Sequence, residues 1–429
     1  MDLKKNRWLI ALSAIAIHLS IGSTYAYSVF KNPLSDLLGW NSKEVTLSFT
    51  IAILFLGLSA ATFGRFVEKW GPRKSATIAA ILFASGLLIS GLAIQIESLM
   101  LYYLGYGVIG GMGLGIGYIS PVSTLVKWFP DRRGLATGMA VMGFGAGALI
   151  ASPVAAHFIQ TVGISSTFYI LGVAYLVLML AGASYIVRPP EGWVPKSMEG
   201  EALNDKKAKK RPDDLAQLTA NEAVKTKRFW LLWIMMFINI SSGIMLISVA
   251  SPMAQEKVGM TVVAAASMVG IMGLFNGAGR ILWSSLSDYV GRSNIFIIFF
   301  SVQMILFFLL PSISNAIIFQ IVIFLILTMY GGGFSSLPAF IGDLFGTKQL
   351  GAIHGYILTA WSSAGVFGPM MVAAIYDSTA SYNVTFYMFA ALLVVAFVTA
   401  LVMKANIKAI RSGTEKNATI NSANTVKIG

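Results

Sequence analysis

The chain has 429 residues, of which 56% are hydrophobic and only 11% charged. Soluble proteins carry about 25% charged residues, so most of this chain is solvated by lipid; a soluble enzyme, a disordered protein and a secreted disulfide scaffold are excluded. The net charge of +13 raises nucleic acid as a partner, and the absence of cysteine removes thiolate chemistry and Cys-based metal sites.

Apolar segments lie near 8–30, 45–66, 74–96, 99–127, 135–158 and 165–187, and again near 229–252, 261–286, 294–312, 316–342, 352–376 and 384–403. Each is long enough to cross a bilayer as a helix, and none alternates with the period of a barrel strand. Met1 to Arg7 is basic and leads into an apolar stretch reaching Phe30 without a small-residue cleavage site. It reads as an uncleaved first span rather than a signal peptide. With the N-terminus inside, Lys31, Lys43 and Lys257 face outward, Arg280 falls within a span, and every other Lys and Arg lies on the inner side. The basic surplus is therefore an orientation signal, not a nucleic-acid footprint, and both termini are expected in the cytoplasm.

A polar stretch, 189–228, separates two groups of six spans, 1–188 and 229–404. Its run Lys206, Lys207, Lys209, Lys210, Arg211 sits among acids and reads as a solvated cytoplasmic linker, with contact to anionic headgroups of the bilayer as the alternative. Residues 405–429 form a polar tail rich in Asn and Thr, expected to lack regular structure.

The halves echo each other. Gly64-Arg65-Phe-Val-Glu68-Lys69-Trp-Gly71-Pro-Arg73 follows span 2, and Ser284-Ser-Leu-Ser-Asp288-Tyr-Val-Gly291-Arg292 follows span 8, at an offset of 220. Trp128-Phe-Pro-Asp131-Arg132-Arg133-Gly134 follows span 4 and is echoed by Leu344-Phe-Gly-Thr-Lys348-Gln-Leu-Gly351, at an offset of 216. Two loop pairs at nearly one offset indicate duplication of a six-span unit. These loops resemble those of the major facilitator superfamily, with Glu68-Lys69 where that family more often has Asp-Arg. The resemblance implies an all-α fold of twelve transmembrane helices in two six-helix halves. It implies that Glu68, Gly71, Arg73, Asp131, Arg132, Arg133, Asp288, Gly291 and Arg292 build an inner gate, the carboxylates capping neighbouring helix N-termini and pairing with Arg.

The site is expected at the midplane between the halves. Arg280 lies about 12 Å from Asp288 along its helix. An Arg inside a span costs at least about 2.5–3.5 kcal/mol. No carboxylate is placed in a span to neutralise it. Snorkelling to the inner interface is the bland reading, and a cavity-facing guanidinium whose counter-ion is the substrate is the functional one. Guanidinium matches carboxylate bidentately, so that substrate would be an organic anion. Asn276 sits at i−4 on the same face, able to hold the guanidinium or bind a substrate oxygen, with an interhelical hydrogen bond as the structural alternative. Tyr25, Tyr118 and Tyr330 place hydroxyls near midspan, and Gly331, Gly332 and Gly333 put Phe334 beside a flexible, gate-like stretch. For each Tyr taken alone, packing is an equal reading.

Tyr25-Ala-Tyr27-Ser-Val-Phe30-Lys-Asn-Pro33, the loop after span 4 and Asn276-Gly-Ala-Gly-Arg280 together resemble the oxalate:formate antiporter family and its bacterial monocarboxylate-transporter relatives. That resemblance implies a bacterial cytoplasmic membrane protein whose span-8 Arg binds substrate carboxylate. It also implies a second cavity cation in span 11 for an oxalate exchanger; Trp361 occupies that position here. One cation suits one negative charge, so lactate, pyruvate or formate is favoured, with oxalate or another dicarboxylate as the alternative. Animal monocarboxylate transporters have Asp where this chain has Asn276, which removes a carboxylate proton relay. His18, midspan, and His354, at the start of span 11, remain as proton-coupling candidates, His18 alone being placed deep and a packed neutral imidazole being its bland reading. No metal, cofactor or catalytic triad is expected. The expected activity is alternating-access transport by proton symport or anion exchange, in a monomer whose partners are the carboxylate, protons and lipid.

Overall fold

The structure, a computed structural model, describes residues 5–190, 193, 195 and 214–426, with side chains at all of these except Ser42, Val262, Ala266 and 413–426. The basic run at 206–211 lies outside the described residues. Among the described residues twelve helices are long and apolar enough to span a membrane: α1 Arg7–Leu38, α2 Lys43–Trp70, α3 Pro72–Gln95, α4 Leu99–Trp128, α5 Arg133–Val162, α6 Ile164–Tyr185, α7 Lys227–Val258, α8 Val263–Val290, α9 Arg292–Ser312, α10 Ala316–Phe345, α11 Leu350–Thr379 and α12 Asn383–Ser412. Among the described residues there is no strand.

The helices outrun the apolar segments because polar caps extend them. Asn41 accepts from Glu44 N while Glu44 returns to Asn41 N, and Thr261 and Asn315 cap α8 and α10. The longer helices carry Asp288 and Asp343 in the inner last turns of α8 and α10, correcting the expectation of spans free of acids. Helix α1 passes its apolar limit through a 3₁₀ turn at Ser23–Tyr27 and then Pro33. The largest departure is at the end. Helix α12 continues unbroken to Val426, where a tail without regular structure was expected.

Helix α2 packs on α11 and α5 on α8, joining the halves. Glycines set these approaches: a Cβ at Gly64 would lie 2.7 Å from Ala352 Cα, and one at Gly134 2.0 Å from Ser284 O. The reverse turns between α2 and α3 and between α8 and α9 use Gly71 at φ 85° and Gly291 at φ 90°, a conformation that residues with a Cβ rarely adopt. Below the bundle, residues 214–226 form a strap against the inner end of α10. Leu215 N donates to Asp343 O at 2.9 Å, Leu218 N to Phe345 O at 2.8 Å and Ala220 N to the Gln349 side chain at 2.8 Å. Thr219 and Glu222 close a capping box over the short helix Ala220–Val224, and the Thr219 backbone N–H holds the Glu222 carboxyl below its usual range.

Candidate functional site

At the inner ends of the helices the repeated loops form a network of caps and ion pairs that takes in Glu68, Arg133, Asp288 and Arg292 of the residues expected there. Glu68, ending α2, accepts from Gly351 N at 2.8 Å and so caps α11 of the other half. Its repeat equivalent Asp288, ending α8, accepts from Gly134 N at 2.9 Å and Leu135 N at 3.0 Å and caps α5. Both carboxylates meet the positive end of a helix dipole. Lys127 pairs with Glu68 at 2.7 Å, and Arg292 pairs with Asp288 at 2.5 Å and with Asp343 at 3.3 Å. Arg133 bridges Asp343 at 3.1 Å and the strap's Asp214 at 2.6 Å. Asp131 instead holds Arg7 at 2.7 Å, and Arg73 donates to Ser184 O at 2.6 Å, so both brace the first half. Arg132 is exposed. Asp343, Asp214 and Lys127 were not anticipated; Asp343 and Lys127 stand at equivalent positions under the 216 offset, which is the signal that would have found them.

The midplane is different. In a helix the Cα–Cβ bond leans toward the N-terminus, which for α8 is the outer end. Arg280 follows that lean and runs outward along α5, away from the inner interface that snorkelling would require. Its Nε donates to Asn276 Oδ1 at 3.3 Å and its Nη1 to Val141 O at 2.9 Å. Its Nη2 is buried without a hydrogen-bond partner, and the residue is 1% exposed. Among the described residues Arg280 makes no ion pair with a carboxylate. Gly145 of α5 lies against the guanidinium, where a Cβ would sit in ordinary van der Waals contact 3.4 Å from Nε.

Rings surround this cation. Its Cζ is 5.6 Å from the Phe334 ring and 6.0 Å from that of Phe144. Trp361 closes the box, with ring centroids 4.6 Å from Phe334, 5.5 Å from Tyr118, 5.7 Å from Phe144 and 6.4 Å from Tyr25. Tyr330 packs on Phe334 at 5.4 Å. The hydroxyls of Tyr25 and Tyr118 are buried without hydrogen-bond geometry to any partner. All seven residues expected to line the chamber thus gather around one point.

Phe144, Val141 O and Gly145 were missed. Their signal was an aromatic flanked by glycines, Gly143-Phe144-Gly145, inside span 5. The Gly331–Gly333 run serves close packing within an unbroken helix rather than flexibility. A Cβ at Gly331 would lie 2.2 Å from Asn276 O, one at Gly332 2.7 Å from Trp283 and one at Gly333 2.3 Å from Asn239. His354 stands near the start of α11, as expected, but is buried. It is as fully buried as His18, and the two rings lie 5.7 and 5.1 Å from the Tyr118 ring. Among the described residues no group of three or more His, Asp and Glu could hold a metal.

Chemically, this cluster offers one desolvated, partly unsatisfied guanidinium in an aromatic box. Comparisons with known proteins agree with this architecture. The chain is 28% identical over 355 residues to an uncharacterized MFS-type transporter of Escherichia coli (strain K12), covering 82% of this chain and 84% of that protein. It is 27% identical over 373 residues to the oxalate:formate antiporter of Oxalobacter formigenes, covering 86% and 85%. Against the apicoplast pyruvate carrier 1 of Toxoplasma gondii it is 24% identical, covering 72% and 66%. Among solved structures, the transporter FucP in the outward conformation superposes with a TM-score of 0.71 at 14% identity, covering 92% of this chain and 98% of that one. The proton:xylose symporter XylE gives 0.70 at 16% identity, covering 94% and 96%. The sequence profile of the Major Facilitator Superfamily matches residues 13–369 and, in a second match, 245–422. The chain belongs to the Major Facilitator Superfamily and is a multi-pass membrane transporter, not an enzyme.

Proposed function

We propose that this transporter carries small monocarboxylates of the lactate, pyruvate or formate type across the bacterial cytoplasmic membrane by alternating access. The observation that carries the reading is Arg280: a buried guanidinium with Nη2 unpartnered and aromatic rings where a counter-ion would stand. A carboxylate there gains a charge-assisted bond to Nη2 and hydroxyl donors from Tyr25 and Tyr118. A second negative charge would face the Trp361 ring, and a buried unpaired charge costs several kcal/mol. The basic inner face orients both termini toward the cytoplasm, and likeness to bacterial transporters supports the cytoplasmic membrane as the location.

Likeness to an oxalate:formate antiporter supports a second reading, exchange of oxalate or another dicarboxylate. Counterflow in proteoliposomes preloaded with lactate, pyruvate, formate or oxalate separates the two. Labelled lactate exchanging against internal lactate, pyruvate or formate supports the first. Exchange confined to oxalate replaces it with the second.

A further inference from the structure

Tyr118 touches two sets of neighbours. Toward the chamber its ring meets Trp361 and Phe144, each at 5.5 Å. It also meets two imidazoles: His18, stacked at 5.1 Å and 23°, and His354 at 5.7 Å and 59°. His18 is half satisfied, its Nε2 lying 3.1 Å from Tyr118 O. His354 is not satisfied at all: both ring nitrogens are buried without a partner. A neutral imidazole keeps one N–H donor and one acceptor nitrogen, and burying both unmet is a standing penalty that a Leu or Phe of similar volume would avoid.

The position of His354 gives that penalty a use. It sits on α11 in the second half, whereas Tyr118 on α4 and His18 on α1 belong to the first, so the ring lies on the seam between halves. It lies four positions along α11 from Leu350, the inner end of that helix. The ionisable groups around it are few. Tyr118 and His18 face it across the seam, and Glu68 of α2, paired with Lys127 of α4, sits one turn inward at Gly351. On α11 itself Tyr356 turns away toward Arg65. Tyr330 on α10 and Arg280 on α8 lie at the chamber, beyond the Phe334, Phe144 and Trp361 rings.

We propose that His354 is the proton-binding residue of the transport cycle, taking up one proton as the carboxylate docks on Arg280. This rests on the monocarboxylate reading above. Without a bound anion, the uncompensated charge of Arg280, on the far side of the Tyr118 and Trp361 rings from His354, opposes a second cation in this low-dielectric interior. A docked carboxylate cancels that field, so anion and proton favour each other's binding, which is the reciprocal coupling that symport requires. The Tyr118 ring, 5.7 Å away, is within the range of a cation–π partner for the imidazolium. One proton and one monocarboxylate cross together, and the step is electroneutral. Parting the seam inward exposes His354 and the chamber by the same movement.

The test compares two readouts in proteoliposomes for the parent, His354→Gln, His354→Asn and His18→Gln at matched protein levels. One is lactate counterflow, which needs no net proton movement; the other is lactate accumulation driven by an imposed pH gradient. The ratio of accumulation to counterflow is expected to fall by about tenfold or more in both His354 variants and to stay near the parent value in His18→Gln. A pH-jump arm on the parent alone, in which lactate addition alkalinises the external medium, supports the proposal without relying on any variant. Unchanged coupling in either active His354 variant overturns it, as does a parent that exchanges lactate without proton movement. A parent with no counterflow of any monocarboxylate overturns the substrate reading first, and this proposal with it.

Discussion

Two clusters of cations, one at the inner gate and one at the midplane, are handled in opposite ways. At the gate Arg133 and Arg292 face Asp214, Asp288 and Asp343, and Glu68 and Asp288 cap helices across the seam. At the midplane Arg280 has an amide, a backbone carbonyl and two aromatic faces. The comparison separates structural charge from functional charge. A cation such as Arg133, whose carboxylate partner is part of the protein, ties the halves together, and on the proposed reading Arg280, left without a carboxylate, is where an anion from outside would dock.

Arg280→Ala breaks the comparison most severely. Removing one member of a buried charge pair costs about 3–5 kcal/mol, on the order of 100-fold or more in affinity, so uptake is expected to vanish at unchanged abundance. Arg280→Lys is expected to be nearly as poor, since an ammonium cannot supply Nε, Nη1 and Nη2 along three directions. Near-normal uptake in the Ala variant, measured at equal expression, would return Arg280 to a packing role.

Weakening the gate is expected to have a smaller effect. Asp288→Asn keeps the shape but loses the anionic cap on Gly134 N and Leu135 N, at a cost of about 1–3 kcal/mol. Because the chain has no cysteine, a single Cys at Ser335, buried behind the gate, reports opening without background. Maleimide applied from the inner side is expected to label it several-fold faster in the Asp288→Asn background. Equal labelling rates would mean that the cap does not hold the seam.

Trp361→Lys sharpens the charge argument by adding a cation opposite Arg280. Competition of oxalate against labelled lactate uptake is expected to strengthen several-fold. Strong competition already in the parent, unaltered by the substitution, would defeat the one-cation argument. The smallest effect is expected from His18→Gln, which should retain most of any proton-coupled uptake, because His18 Nε2 already has a partner in Tyr118 O. Loss of proton flux with exchange preserved would make His18 the coupling residue.

Much of this was legible in the sequence, for identifiable reasons. Span number follows from apolar length, and the gate loops repeat in both halves, so Glu68 and Asp288 could be matched before their geometry was known. Arg280 stood out because a cation inside an apolar stretch is costly. Partners contributed by backbone or by distant spans left weaker traces. Val141 O has no side-chain signature, Phe144 reads as one Phe among 27, and Asp343 reads as a loop residue until polar capping extends α10 past it. His354 does stand at the start of span 11, but its burial was not anticipated: apolar windows mark where a span begins, whereas burial there depends on Tyr118 arriving from the other half. The extended α12 was missed because its polar composition carries no apolar period, although helix propagates from the span before it.

The central claim is that Arg280 is a cation awaiting a single carboxylate. Equilibrium titration of the purified protein in detergent with lactate and, separately, oxalate, followed by calorimetry for the parent and Arg280→Ala, tests it most directly. Saturable lactate binding at one site in the parent, tighter than oxalate and abolished by Arg280→Ala, is the expected result. Lactate binding that survives the loss of Arg280, or an oxalate affinity well above that for lactate, would contradict the account.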